Sequence, residues 1–170
     1  MLDTYTFENY TVTKNNEFAY SAAKAVVKLQ GVAYNPLFIY GENKLEQTHL
    51  LYAIKNEVMK NENIKILYST YETFIASYKA NKLNFKNTYK GLDFLLIDNF
   101  QFFSGKYTVQ NELITIFKQL LKNNKQIVIS SDVELNKLDL LEELKTQINM
   151  GLFADIKNKI IKINIEKKGV

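Results

Sequence analysis

Cysteine is absent from the sequence, which excludes disulfides and thiolate metal sites and permits a reducing compartment. Arginine is absent too: all 22 basic residues are lysine, a hydrated point charge. Rigid bidentate clamps on phosphate or carboxylate are therefore unavailable. Proline occurs once and glycine six times, so there is no loop-rich linker to divide the chain. No stretch approaches the ~20 apolar residues of a membrane-spanning helix. Met1 opens no signal-peptide pattern, so the sequence predicts a cytoplasmic protein with no membrane partner. What is present fits one globular domain over residues 1–170: apolar residues at 46% and charged residues at 24% set aside wholesale disorder. A net charge of +4 reads as a solvated surface before it reads as a nucleic-acid footprint.

Periodicity arranges the chain as alternating helices and strands. Phe18, Ala22, Ala25, Val26 and Leu29 recur at helical spacing and stop before Gly31. Residues 37–40 form a short apolar run between Pro36 and Gly41, a strand signal. A helix over 48–59 follows, then a strand over 64–69 and one broken or two short helices over 74–89. Residues 94–97 read as a buried strand with Asp98 at its carboxyl end. A helix over 109–121, a strand over 127–129 and a helix over 137–148 come next. The tail, 153–165, alternates Ile160, Ile161, Ile163 and Ile165 with polar residues and predicts one or two edge strands. Such alternation makes a parallel sheet covered on both faces. Ligands of such sheets sit at the strands' carboxyl ends, where Gly41, Asp98 and Asp132 fall.

One stretch carries chemistry. A phosphate-binding loop has the form G-x-x-x-x-G-K-[ST] between a strand and a helix. Its glycines let backbone amides wrap the phosphates, and its lysine contacts the terminal ones. The string here is Gly41-Glu42-Asn43-Lys44-Leu45-Glu46-Gln47-Thr48. Gly41 and Thr48 stand, while Glu46 replaces the second glycine and Gln47 the lysine. Both replacements act against an anion. Like charges ~4 Å apart repel by roughly 4 kcal/mol at an effective dielectric of ~20. Lys44 lies inside the loop, but its place in the sequence gives no reason to cast it as a substitute.

A wider pattern identifies a family. The segments at 5–10 and 15–20, Tyr34-Asn35-Pro36-Leu37-Phe38-Ile39-Tyr40-Gly41, Thr48-His49-Leu50-Leu51, the stretch 95–102 and Gln126-Ile127-Val128-Ile129-Ser130-Ser131-Asp132 resemble the ATPase domain of DnaA, the bacterial replication initiator. The resemblance runs in order from about residue 4 to residue 156. It implies a three-layer α/β P-loop fold (the AAA+ core) with a five-stranded, mainly parallel sheet between helices. The chain ends where the family's lid and DNA-box-binding domain would begin. The divergent tail, 157–170, suggests a short complete homologue.

The departures fall on the family's working residues. Asp98 matches the acid that holds magnesium, but Asn99 stands where the family has a second acid. The loss of a general base typically costs ~10²–10⁴ in rate. Thr13 replaces a glycine of the adenine-contacting loop, and the 140–152 stretch lacks the arginine finger that stabilises charge on a neighbour's phosphate. Asp132 matches the position that senses the nucleotide. His49, the single histidine, reads as a packing residue.

The segment 71–90 occupies the place of the insertion that touches single-stranded DNA in the family. There Lys79, Lys82, Lys86 and Lys90 interleave with Tyr78, Phe85 and Tyr89, a mixture of charge and stacking suited to single strands. Of Phe100, Phe102, Phe103 and Tyr107, at most one or two are expected to be exposed, core packing being the default for such a cluster. These features together predict a catalytically inactive DnaA-like protein, not an enzyme, acting in replication initiation or its regulation. Its expected partners are replication proteins: DnaA, the helicase or its loader. No cofactor is expected and no metal site, with Asp98 the one weak candidate. The alternatives are a switch that binds ATP or ADP weakly with magnesium, and a single-stranded DNA-binding module.

Overall fold

The computed structural model describes residues 4–82 and 84–157. α1 (Glu17–Lys28) precedes β1 (Leu37–Gly41), and α2 (Lys44–Val58) leads into β2 (Ile66–Thr70). α3 (Tyr71–Ala80) and α4 (Phe85–Tyr89) precede β3 (Phe94–Asp98), and α5 (Tyr107–Lys122) precedes β4 (Gln126–Ser131). α6 (Glu142–Asn149) closes on β5 (Leu152–Ile156). The strand order is β2-β3-β4-β1-β5, and every pairing is parallel.

Strand alternation divides the core in two. β1 sends Phe38 to one face and Leu37 and Ile39 to the other; β3 does the same with Leu95 and Ile97 against Phe94 and Leu96. α3 to α6 cover the Phe38 face with Phe74, Phe85, Phe117 and Leu144. α1 and α2 cover the opposite face with Ala19, Val26, Leu50 and Ile54. β3 is buried at every position, as a central strand between two helical layers must be.

Two helix starts differ most from the periodicity. α2 begins at Lys44, four residues before the expected start, because Lys44-Leu45-Glu46-Gln47 are good helix formers and no glycine interrupts them. α6 begins at Glu142 and not at Lys137. A 3₁₀ turn over Leu135–Lys137 and an extended connector precede it. Leu135, Leu138 and Leu140 are buried along that connector, so their apolar spacing reflects packing, not a helical face. The tail strand is β5, an edge of the sheet; Ile160, Ile161, Ile163 and Ile165 lie outside the described residues.

Candidate nucleotide site

β1 ends at Gly41 and α2 starts at Lys44, so only Glu42 and Asn43 form the turn between them. Asn43 caps the helix: its Oδ1 accepts the Glu46 N–H at 3.3 Å, and its carbonyl accepts the Gln47 N–H at 3.3 Å. A phosphate cradle needs those amides pointing at the ligand. Here they close the first turn of a helix.

The two replaced positions are both engaged. Glu46 is half-buried and its carboxylate accepts three hydrogen bonds: from Tyr10 Oη at 3.3 Å, Asn16 Nδ2 at 2.9 Å and Asn43 Nδ2 at 2.8 Å. Burial first, and the Glu46 charge second, push the Tyr10 phenol well above its ordinary range and keep it a donor. Gln47 is 2% exposed, and its Nε2 donates to the Gly41 carbonyl at 2.5 Å. Gly41 itself, at φ 147°, is required by the sheet, since a Cβ there would lie 2.3 Å from the Ile156 carbonyl oxygen of β5.

Asp98 is 2% exposed at the end of β3 and accepts four hydrogen bonds. Thr48 Oγ1 and Tyr68 Oη donate to its Oδ2 at 2.8 and 2.6 Å, while the Asn99 N–H (2.9 Å) and Ser130 Oγ donate to its Oδ1. Register makes this possible. Pairing Ile97 with Ile129 sets Ser130 beside Asp98, and pairing Tyr68 with Leu96 turns Tyr68 to the same face. Burial, and then Asp98, hold the Tyr68 phenol far above its usual range. Asn99 adopts a left-handed conformation at φ 56° and accepts from Gln101 Nε2 at 3.4 Å. Lys44 reaches across to Asp132 at 3.2 Å, an ion pair spanning the carboxyl ends of β1 and β4. Its place is thus over the site, which the sequence did not indicate.

The fit to a nucleotide is divided. Thr48 and Asp98 present the paired hard oxygens that magnesium takes. The turn as folded, with Glu46 and Gln47 bonded inward, does not present a phosphate cradle. Among the described residues no group of three or more His, Asp and Glu comes together as a metal site.

The remaining candidates lie elsewhere. Tyr89 is 2% exposed and packs on Phe74 and Phe85, so the expectation that it stacks on DNA is corrected: the core takes its ring. Tyr78 is half-buried against Phe85, with Lys82 5.4 Å above its ring. Lys79, Lys82, Lys86 and Lys90 are exposed, and Lys86 pairs with Glu112 at 3.6 Å. Phe100 and Phe103 are buried, while Phe102 and Tyr107 are exposed. His49 stacks on Tyr5 with ring centroids 4.5 Å apart, and its Nε2 donates to the Thr6 carbonyl at 2.9 Å. Tyr10, Asn16, Tyr68 and Ser130 are the site residues the sequence reading missed. Asn43 followed by Glu46 three residues later was the one legible signal, a helix-cap spacing overlaid by the loop motif.

Comparison with known proteins places the chain. The family model described as the bacterial DnaA ATPase domain matches residues 1–155. The chromosomal replication initiator protein DnaA of Helicobacter hepaticus is 42% identical over 167 residues, covering 95% of this chain and 36% of that protein. Domain III of the Thermotoga maritima replication initiation protein DnaA superposes with a TM-score of 0.83 at 46% identity, covering 89% of this chain and 66% of that one. A DnaA bound to AMPPCP and single-stranded DNA superposes with a TM-score of 0.85 at 36% identity, covering 91% and 50% respectively. The chain spans 36–39% of the length of curated relatives such as these. No helix among the described residues is long and apolar enough to cross a membrane.

The expectation that the chain is not an enzyme does not hold, because the family that matches is an ATPase domain. The expectation of no cofactor gains nothing here either, since a relative of 36% identity is bound to AMPPCP. Matched over residues 1–155 by one model and over 95% of its length by a relative of 42% identity, the chain belongs to the bacterial DnaA ATPase domain family.

Proposed function

We propose that this chain acts in the initiation of chromosomal replication or in its control, through contacts with other replication proteins: the initiator, the helicase or its loader. One observation carries the reading. The initiator's frame is kept while the β1–α2 turn is held by the protein's own side chains, Glu46 on Tyr10, Asn16 and Asn43, and Gln47 on Gly41. A surface fastened in this way has the same shape with and without a nucleotide, which suits recognition by shape. The purified chain should bind at least one of these three proteins from its own organism in pull-down and calorimetry. Its affinity should change by less than about threefold when ATP and magnesium are added. Failure to associate with all three would sink the reading.

A second reading is supported by Thr48 and Asp98, which keep a hydroxyl–carboxylate pair at 2.8 Å, and by the AMPPCP-bound relative. It makes the chain a magnesium-dependent adenine-nucleotide switch. Titration with a fluorescent ATP analogue separates the two. Sub-millimolar binding that needs magnesium and disappears in Asp98→Asn places the switch first. Single-stranded DNA binding is a third reading; it rests on the exposed Lys79, Lys82, Lys86 and Lys90 beside Tyr78 and on the relative bound to such DNA. Its mark is an affinity falling steeply with salt.

A further inference from the structure

We infer that Tyr10, Asn16 and Asn43 form an anion site, and that Glu46 fills it as a tethered ligand fastening the segment 4–16 to the head of α2. The three donors come from three separate parts of the chain: the N-terminal segment, the residue preceding α1, and the turn preceding α2. They converge on one carboxylate, two on Oε2 and one on Oε1. All three are neutral, so the bonds are charge-assisted from the carboxylate's side alone.

Asn16 is the hub. It is 1% exposed, its Oδ1 accepts the Thr13 N–H at 2.7 Å, and its Nδ2 donates to the Thr11 carbonyl at 3.1 Å as well as to Glu46. The amide is thereby oriented with its donor toward α2, and a buried donor left unpaired there is costly. Tyr10 is 7% exposed and wedged between Tyr20, stacked at 5.5 Å, and His49, edge-on at 5.0 Å. Its hydroxyl is therefore aimed, not free to seek water. The positive end of the 15-residue helix α2 adds to the attraction for negative charge.

An ordinary acid in the first turn of a helix would answer only to its own helix. Glu46 answers to residues 30 and 36 positions away. The distinction is measurable on the chain alone, with neither nucleotide nor partner; it rests on the same fastening of Glu46 that the proposed function uses, and a failure to bind replication proteins leaves it standing.

Backbone hydrogen exchange on the full chain tests it, comparing wild type with Glu46→Ala. The substitution should speed exchange at the amides of Thr13, Asn16 and Glu17 on the order of tenfold while leaving α5 at its wild-type rate. Formate or acetate at about 50 mM, small enough to enter the vacated position, should slow those amides again. Chloride at equal ionic strength should not. Unchanged exchange in Glu46→Ala, or equal recovery with chloride, overturns the proposal. Should that variant not fold, Glu46→Gln and Tyr10→Phe each remove part of the same set at nearly constant volume. Faster exchange confined to 10–17 in both supports the tether, and wild-type rates in both overturn it.

Discussion

Gly41 is shared by the phosphate-loop motif and by the sheet, for different reasons. In the motif the residue gives phosphate room; in this chain it lets β5 pass, with the Ile156 carbonyl where a Cβ would stand. The two reasons separate on substitution. Gly41→Ala should cost roughly 2–4 kcal/mol in urea unfolding with no nucleotide present, since the clash is with backbone that cannot step aside. A cost below ~0.5 kcal/mol would return the glycine to the ligand. At this scale the sequence was legible where a template exists: Gly41, Thr48 and Asp98 are found by it. Tyr10, Asn16, Tyr68 and Ser130 are not, because they reach the site through strand register and through hydrogen bonds spanning 30 and 36 residues. No local spacing encodes either.

Among the elements, α2 shows how a motif and a propensity compete for the same residues. The loop template predicts an open turn up to Gln47, but replacing the glycine by Glu46 lets the helix run back to Asn43. Asn43→Ala removes the cap and one of the Glu46 donors. It should cost about 1–2 kcal/mol in thermal or urea unfolding, near the top of the range for a helix cap because two roles are lost together. A cost within ~0.3 kcal/mol would mean that the turn is held from elsewhere. α6 shows the opposite failure: Leu140 sits one helical interval before Leu144, yet it lines an extended connector ahead of the helix. Apolar spacing reports which side faces the core, and a short run does not say by which backbone path. α3 and α4 were legible as one broken helix or two short ones. What escaped the sequence is that Tyr89 spends its ring on Phe74 and Phe85, leaving lysines without that aromatic neighbour.

For the whole molecule, buried phenols set a limit on the alkaline side. Tyr10, Tyr68 and Tyr89 all have folded pKa values raised above the ordinary value, chiefly by burial. The unfolded chain releases those protons from about pH 10 while the folded one retains them, so the unfolded state then binds fewer protons and stability falls as pH rises. Unfolding midpoints in urea should be flat from neutral pH to about 9 and drop beyond 10. Absorbance near 295 nm should show these tyrosines ionising only together with the loss of structure; free titration of all eleven near pH 10 would contradict the burial. The frame itself was readable in advance, since alternating strands and helices leave a covered parallel sheet few other arrangements. A last consequence follows from the Glu46 carboxylate on Tyr10, Asn16 and Asn43. A diffusing ligand occupies its site in proportion to its supply, whereas a group on the same chain is present at a fixed effective concentration, on the order of millimolar for short tethers. On the proposed tether, an anion built in at that strength holds the place of the N-terminal segment against any free carboxylate far below millimolar supply.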